Sequence, residues 1–275
     1  MSRGAGVAAV LAPVAEVDAM WRVAESALAA RVELRRPDRD EAGPDQAPLP
    51  VVVCLWKRHH RLSTILGMLA RQSVPCDLYL WNNDPTQADA IATATAVAGA
   101  ALVPDRVVVA NSASNIGGFG RFFWARELAA TNSFVLFVDD DELLDVDSVA
   151  TFRAEAAVGQ IHSAWGFRFT QRRNYWRRRP VAAGEPAKYC GTGGMITDSS
   201  IFLDERVFRC PAPYWFCEDI WLSYFASTAL GWGLFKSRAE VGWLLDDAAQ
   251  YPGLHRKKSR FFRLLNARGG WLDPS

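Results

Sequence analysis

The stretch SFVLFVDDDE, residues 133–142, decides the fold: an apolar run from Phe134 to Val138 ends in three consecutive carboxylates, Asp139, Asp140 and Asp141. A short apolar run bounded by polar residues reads as a buried strand. Like charges a few ångströms apart repel unless shared protons or a bound cation offset them. A hard divalent ion solves this, because Mg2+ and Mn2+ take oxygen ligands, use one or two carboxylates and complete their shell with water and substrate phosphates. Capping of a following helix, ELLDVDSVATFRAEA (142–156), explains one aspartate but hardly three behind a buried strand.

Upstream the chain alternates strand and helix patterns. VVVCLW (51–56), DLYLWNND (77–84) and RVVVAN (106–111) read as strands. RLSTILGMLARQ (61–72), QADAIATATAVAGAA (87–101) and GRFFWARELAAT (120–131) have helical spacing. This alternation predicts an α/β fold whose mostly parallel central sheet is flanked by helices on both faces. Ligands of such sheets bind beyond the carboxyl ends of the strands. Those ends here carry KRHH, NND, NSASNIGG and DDDE, so four polar clusters are expected on one rim.

The whole chain sets outer bounds. With 275 residues, half of them hydrophobic, it can bury a proper core. A formal charge of +1 gives no global field for nucleic acid, so electrostatic recognition must be local. No stretch reaches the roughly 18–20 apolar residues of a membrane span. VAAVLAPVA (7–15) imitates a short signal core, but a single Arg precedes it and it runs on into a helical pattern. The five cysteines, at 54, 76, 190, 210 and 217, are odd in number and match no zinc spacing. They read as reduced, mostly buried thiols of a cytoplasmic chain.

Before the alternating region, Val14, Val17, Trp21, Ala24, Leu28 and Val32 make one apolar helical face, expected to pack on the main domain. RRPDRDEAGPDQAPLP (35–50) reads as a linker. The expected division is an N-terminal helix and linker over 1–49, the main domain over 50–260 and a tail over 261–275.

The order of a first strand, a strand ending NND, an N-x-G-G segment before a helix and a strand ending DDD resembles the GT-A nucleotide-diphospho-sugar glycosyltransferases, particularly family 2-like members. Their Asp-x-Asp metal signature matches Asp139 to Asp141. Downstream, CGTGGMI (190–196) is similar to the glycine-containing turn below their sugar site, and FCEDIWLSYFA (216–226) to their E-D motif opening a helix. HRKKSRFF (255–262) falls where a late metal-binding His is often found. A similar arrangement occurs in exostosin-like retaining transferases. The match covers about residues 50–260, and the segment WGFRFTQRRNYWRRR (165–179) has no counterpart in it.

The resemblance implies transfer of a sugar from a nucleoside-diphosphate sugar, UDP-linked by expectation, to an acceptor hydroxyl with Mn2+ or Mg2+. Asp141 is the first choice for metal ligand; Asp139 aids the metal or the nucleoside ribose, His255 is a metal or diphosphate ligand, and Asp140 points across the strand and is counted with the donor-binding residues. Asn82, Asn83 and Asp84 are expected at the nucleoside, with uracil near Asp84. Asn115, Gly117 and Gly118 bring backbone close to the ligand, and Arg121, Lys257 and Lys258 meet phosphates. Asp219 is the expected general base for an inverting transfer, with Glu218 orienting the acceptor; a retaining reaction would leave the same carboxylate holding substrate. His59 and His60 border the base, and His162 sits in a turn. Trp215 and Trp221 are sugar platforms, whereas Trp124 and Trp243 pack in the core.

The acceptor is expected to be a glycan, a lipid-linked or a small-molecule acceptor, with Trp176 in the Arg cluster as a contact for an acidic one. The basic amphipathic end, HRKKSRFFRLLNARGGW, closes over the diphosphate or touches an anionic membrane surface. Two competitors are a noncatalytic nucleotide-sugar or glycan binding module and a sugar-phosphate nucleotidyltransferase. The latter ordinarily has a Gly-rich loop after its first strand, and KRHHRLS lacks the glycines. Oligomeric state is not legible.

Overall fold

The computed structural model describes residues 3–35, 47–97, 104, 106–244 and 253–272. The chain starts with helices α1 (Arg3–Ala8) and α2 (Val14–Ala29), then β1 (Val32–Arg35) and β2 (Leu49–Leu55). There follow α3 (Leu62–Ala70), β3 (Cys76–Asn82), α4 (Ala88–Val97), β4 (Arg106–Asn111), α5 (Phe119–Leu128) and β5 (Phe134–Asp139). Next come β6 (Glu142–Leu144), α6 (Ser148–Glu155), β7 (Gln160–Ser163), β8 (Gly166–Phe169), β9 (Arg178–Pro180), β10 (Tyr189–Cys190) and β11 (Met195–Asp198). The last elements are α7 (Glu218–Phe225), β12 (Gly233–Lys236), β13 (Val241–Trp243) and α8 (Leu254–Gly269).

Eight strands form the central sheet in the order β1-β4-β3-β2-β5-β11-β7-β12. The segment β4-β3-β2-β5 is parallel, as the alternating pattern predicts. Both edges depart from it: β1 pairs antiparallel with β4, and β11 lies antiparallel between β5 and β7. Alternate residues of each strand enter opposite cores. Val52, Tyr79, Trp81, Val108 and Phe137 face α2, α5, α7 and α8. Val51, Val53, Leu78, Leu80, Val109 and Leu136 face α3 and α6. On the first face α5 lies close, with the Trp124 indole donating to the Leu80 carbonyl at 3.1 Å. Gly120 sits where any Cβ would enter the Trp81 indole.

Several expectations are corrected. The N-terminal helix stops at Ala29, and Val32 starts the edge strand. Arg106 grips Glu33 through Nε (2.9 Å) and Nη2 (2.8 Å), tying that strand to β4. Only Asp139 belongs to a strand end; Asp140 and Asp141 form a tight turn into β6, and the next helix starts at Ser148 rather than at 142. His162 lies in β7, not in a turn. No break falls at residue 261, because α8 runs through it and buries Phe261, Phe262 and Leu265 in the core. That apolar face is spent inside the protein, leaving Arg256, Arg260, Arg263 and Arg268 outward while Lys258 turns inward to Asp219. No described helix is long and apolar enough to cross a membrane. The linker expected over 35–50 is shorter, since Arg35 closes β1 and Leu49 and Pro50 open β2; residues 36–46 of it, and the end of the helix expected over 87–101, lie outside the described residues.

Candidate active site

A cleft of about 490 Å³ opens beyond the end of β5, lined by Asp139, Thr192, Gly193, Glu218, Asp219, His255 and Lys258, with Trp165, Trp176, Tyr189, Arg178 and Trp243 among its walls. Sheet topology assembles it. The antiparallel step from β5 to β11 returns the chain beside Asp139, where a Cβ on Gly193 would crowd the Asp139 and Glu142 carboxylates. The start of α7 brings Glu218 and Asp219, and α8 brings Lys258 across from the other side.

The aspartate triplet is offset by arginines. The Arg121 Nη2 donates to Asp139 Oδ1 at 2.7 Å, while Arg58 Nη1 donates to Asp140 Oδ1 at 2.6 Å and to Asp141 Oδ2 at 3.1 Å. Burial pushes Asp140 up to about 6 against the pull of Arg58. A fourth carboxylate joins them. Glu142 accepts from the Asp139 N–H (2.8 Å) and from the Trp165 indole (2.6 Å), and burial, then the charge of Asp139, pushes it up to about 8. Asp139 Oδ2 accepts no hydrogen bond from the described residues.

At the opposite wall, Asp219 Oδ2 accepts from Lys258 Nζ and from the Tyr189 hydroxyl, both at 2.5 Å, and Tyr175 donates to Tyr189 at 2.9 Å. Burial alone would raise Asp219; Lys258, Tyr189 and the Ile220 N–H outweigh it and hold the carboxyl below its ordinary value. Glu218 is its counterpart. It accepts from the Thr192 hydroxyl at 3.2 Å, and its burial, only partly opposed by Arg121, raises it. Arg121 Nε is buried without a partner among the described residues.

The site residues expected from sequence divide into two groups. Asp139, Arg121, Glu218, Asp219 and His255 are brought to the cleft or against its floor. Asp140 and Asp141 turn to Arg58 on the far side of the strand end, so the trio Asp139, Asp141 and His255 is not assembled. Among the described residues no three His, Cys, Asp or Glu side chains stand close enough to share a metal ion. His255 instead stacks on Trp176, ring centroids 4.2 Å apart. Lys257 lies over the Phe216 ring while Lys258 takes the cleft position.

The NND cluster is built inward. Asn82 Nδ2 donates to Asn111 Oδ1 (2.9 Å) and to the Asp84 carbonyl (2.8 Å), and Asp84 caps the turn at Pro85–Gln87. Asn83 Oδ1 accepts from Trp81 and Ile116, and its Nδ2 donates to the Gly117 carbonyl at 3.0 Å. It thereby clamps the loop in which Asn115 Oδ1 accepts from the Gly117 N–H. Gly117 has φ of 67°, and its missing Cβ leaves room for the Trp215 carbonyl. Gly118 lies where a Cβ would overlap the Glu218 carboxyl. These asparagines and glycines shape the site through the loop.

The aromatic expectations are also redistributed. Trp221 is fully buried, its indole donating to the Val207 carbonyl, and Trp215 donates to the Cys210 carbonyl outside the cleft lining. Trp124 packs as expected, whereas Trp243 is 48% exposed and stacks on Trp165 at the cleft wall. Sequence reasoning gave Glu142 no role, although it ends the opening motif, placed Arg58 on the rim only as part of KRHH, and gave no signal for Tyr175 or Tyr189.

No family model matches the sequence, and no curated protein is similar to it. Solved structures are. The crystal structure of GalNAc-T7 with UDP, GalNAc and Mn2+ shares 12% identity over 80% of this chain and 48% of its own, with a TM-score of 0.55. S. aureus TarS 1–349 with UDP aligns at 18% identity over 69% and 57%, TM-score 0.46. The mannosyltransferase PcManGT from Pyrobaculum calidifontis, with GDP-Man and Mn2+, aligns at 15% identity over 81% and 62%, TM-score 0.48. The first of these shows the shared architecture, which is the GT-A fold of nucleotide-sugar glycosyltransferases. The chain spans about half to three fifths of the length of the structures it matches.

Proposed function

We propose that this protein is a glycosyltransferase that moves a sugar from a nucleoside-diphosphate sugar, UDP-linked in the first instance, to an acceptor hydroxyl. The observation that carries the reading is one cleft holding Asp139 from β5 on one side and the Glu218–Asp219 pair on the other, beyond the strand ends of a GT-A sheet. Arg121, buried beneath the cleft, pairs with Asp139 Oδ1 and donates to the Thr192 carbonyl, and so holds the Asp139 carboxylate in place. The free Oδ2 of Asp139 beside an up-shifted Glu142 fits a hard cation held chiefly by Asp139, with phosphates and water completing its shell. Such an ion, when bound, offsets the charge that grows on the leaving diphosphate.

In this reading Asp219 takes the acceptor proton. Lys258 and Tyr189 hold it ionised and fixed, and the acceptor hydroxyl approaches the carboxylate from the cleft that Asp219 lines. A specific observation favours a second assignment, because the raised Glu218 is the stronger proton acceptor of the two. The pH dependence of kcat/KM separates them. With Asp219 as base the rate is already on its plateau near neutrality; with Glu218 it climbs through a higher value and Glu218→Gln abolishes that climb.

Thermal unfolding of the wild type and Asp139→Asn against UDP, GDP and dTDP, with and without Mn2+, tests the donor site. A ligand at a hundredfold excess over its Kd stabilises the native state by about 2.7 kcal/mol. The expected result is a rise that needs one nucleotide together with Mn2+ and is lost in Asp139→Asn. No rise with any nucleotide overturns the proposal. UDP release from UDP-sugars across an acceptor panel then distinguishes an enzyme, silenced by Asp219→Asn with UDP binding kept, from a binding module that never turns over.

A further inference from the structure

Arg178 lines the cleft beyond the Tyr175–Tyr189–Asp219 hydrogen-bond chain. Its guanidinium carbon lies 4.0 Å from the Tyr175 ring centroid, 4.9 Å from that of Phe167, 5.0 Å from Trp176 and 5.5 Å from Tyr189. One donor is used, Nη1 to the Tyr175 carbonyl at 3.1 Å. Among the described residues no carboxylate pairs with it. The other cations of the site differ in this respect: Arg121 is held by Asp139 and Lys258 by Asp219.

Ring faces attract a cation without neutralising it, and they strip water from it. An arginine fork in that condition is matched by an oxyanion, which supplies planar, charge-assisted hydrogen bonds. Beside it Trp176 is 41% exposed, its indole fixed by stacking on His255 and by a 3.0 Å hydrogen bond to Ser259 Oγ. With His255 stacked on one face and Arg178 over the ring at 5.0 Å, the part of the indole that stays exposed offers a sugar ring apolar contact beside the guanidinium. The hairpin that carries both residues is the Arg- and Trp-rich segment for which the sequence offered no counterpart.

We propose that the acceptor is a saccharide bearing an oxyanionic group, phosphate or carboxylate, which docks on Arg178 while a sugar ring packs against the exposed part of Trp176. The inference rests on the transferase reading above. Arg178 adjoins Tyr175 and Tyr189, the residues hydrogen-bonded to Asp219, and has no contact with Asp139, so the subsite is assigned to the acceptor. Neutral acceptors lose the charged contact and bind weakly.

Calorimetric titrations with glucose 6-phosphate, glucuronate, glucose and inorganic phosphate test this, each on protein alone and on protein saturated with UDP and Mn2+. Saturation keeps sugar phosphates out of the donor site. Expected is saturable binding of the two anionic sugars at least tenfold tighter than glucose, weakened at least tenfold by Arg178→Met and partly kept by Arg178→Lys. Arg173→Gln, an exposed arginine of the same hairpin outside the cleft lining, leaves it unchanged. The UDP-induced thermal shift of Arg178→Met reports that the variant is folded and its donor site intact, so failure of the donor reading shows separately. Equal affinity for glucose and glucose 6-phosphate, or unchanged affinity in Arg178→Met, overturns the proposal. So does inorganic phosphate binding as tightly as the sugar phosphates with no effect of Trp176→Ala. Arg178-dependent binding to phosphatidylglycerol vesicles without sugar-phosphate binding assigns the arginine to a lipid surface, and overturns it as well.

Discussion

Replacing Lys258 by Met leaves the Asp219 carboxylate buried with the Tyr189 hydroxyl and a backbone N–H but no cation. The two side chains keep only 17% and 9% of their accessible surface, so water entering from the cleft replaces the ammonium only in part. Breaking a buried pair in this way costs about 3–5 kcal/mol, far more than the intact pair contributes over an apolar replacement. For a chain of this size that corresponds to a fall in Tm of roughly 6–20 °C. The acid limb gives the sharper check. Asp219 is held below its ordinary value, so its contribution is present above roughly pH 4 and is lost as pH falls through the folded-state value. Lys258 is raised by Asp219 against its burial, so its contribution is complete below roughly pH 10.4 and is lost as pH rises through the folded-state value. In Lys258→Met burial acts on Asp219 with less opposition and the carboxyl rises, so the deficit is full at pH 7 and shrinks towards pH 4. Urea unfolding of both single variants and of Lys258→Met/Asp219→Asn, at pH 7 and pH 4.5, measures this. The double variant is expected to recover at least 2 kcal/mol of the summed losses, within the range of coupling between contacting residues of roughly 0.5–3 kcal/mol. A Lys258→Met deficit under about 1 kcal/mol that does not change with pH would refute the argument, since the low end of the buried-pair cost is about 3 kcal/mol.

Arg58→Met removes the cation shared by Asp140 and Asp141. Because these side chains keep a tenth to a fifth of their surface exposed, the loss is expected near the lower end of the buried-pair cost, about 3 kcal/mol, with Asp140→Asn restoring part of it in chemical denaturation. Gly120→Ala drives a methyl into the Trp81 indole and should cost about 1–3 kcal/mol as α5 or the ring shifts, read as a lower urea midpoint with unchanged slope.

Where the sequence carried a period, it was readable. The parallel segment β4-β3-β2-β5, the helices between its strands and the start of α7 all declare themselves through apolar spacing and turn chemistry, and strands buried on both faces leave little choice of partner. The antiparallel insertion of β11 did not declare itself, because Met195–Asp198 is a four-residue strand whose neighbours are set by long-range pairing rather than by any local pattern. Charge was the other blind spot. A sequence shows that Asp139, Asp140 and Asp141 are adjacent, but a strand that ends at Asp139 and turns sends the next two carboxylates to a different arginine. Aromatic roles failed for a similar reason. Trp221 and Trp243 sit in comparably apolar stretches, and only the helix face that buries the first and the edge position that exposes the second tell them apart.

The distribution of arginines and carboxylates gives the cleft a polarity. Each aspartate of the triplet meets a guanidinium from β2's trailing turn or from α5, so the strand end is near balance except at Asp139 Oδ2 and the protonation-prone Glu142. Across the cleft Lys258 offsets Asp219, and Glu218 shares Arg121 at longer range. Among the described cleft residues Arg178 has no carboxylate partner, and its neighbours are Tyr175, Tyr189, Phe167 and Trp176. In the proposed reading the donor phosphates and their cation meet Asp139, and the oxyanion of the acceptor meets Arg178, with Asp219 beside the acceptor subsite. A binding module has no need of a base held there, whereas a transferase, which must orient two substrates and take up a proton, does.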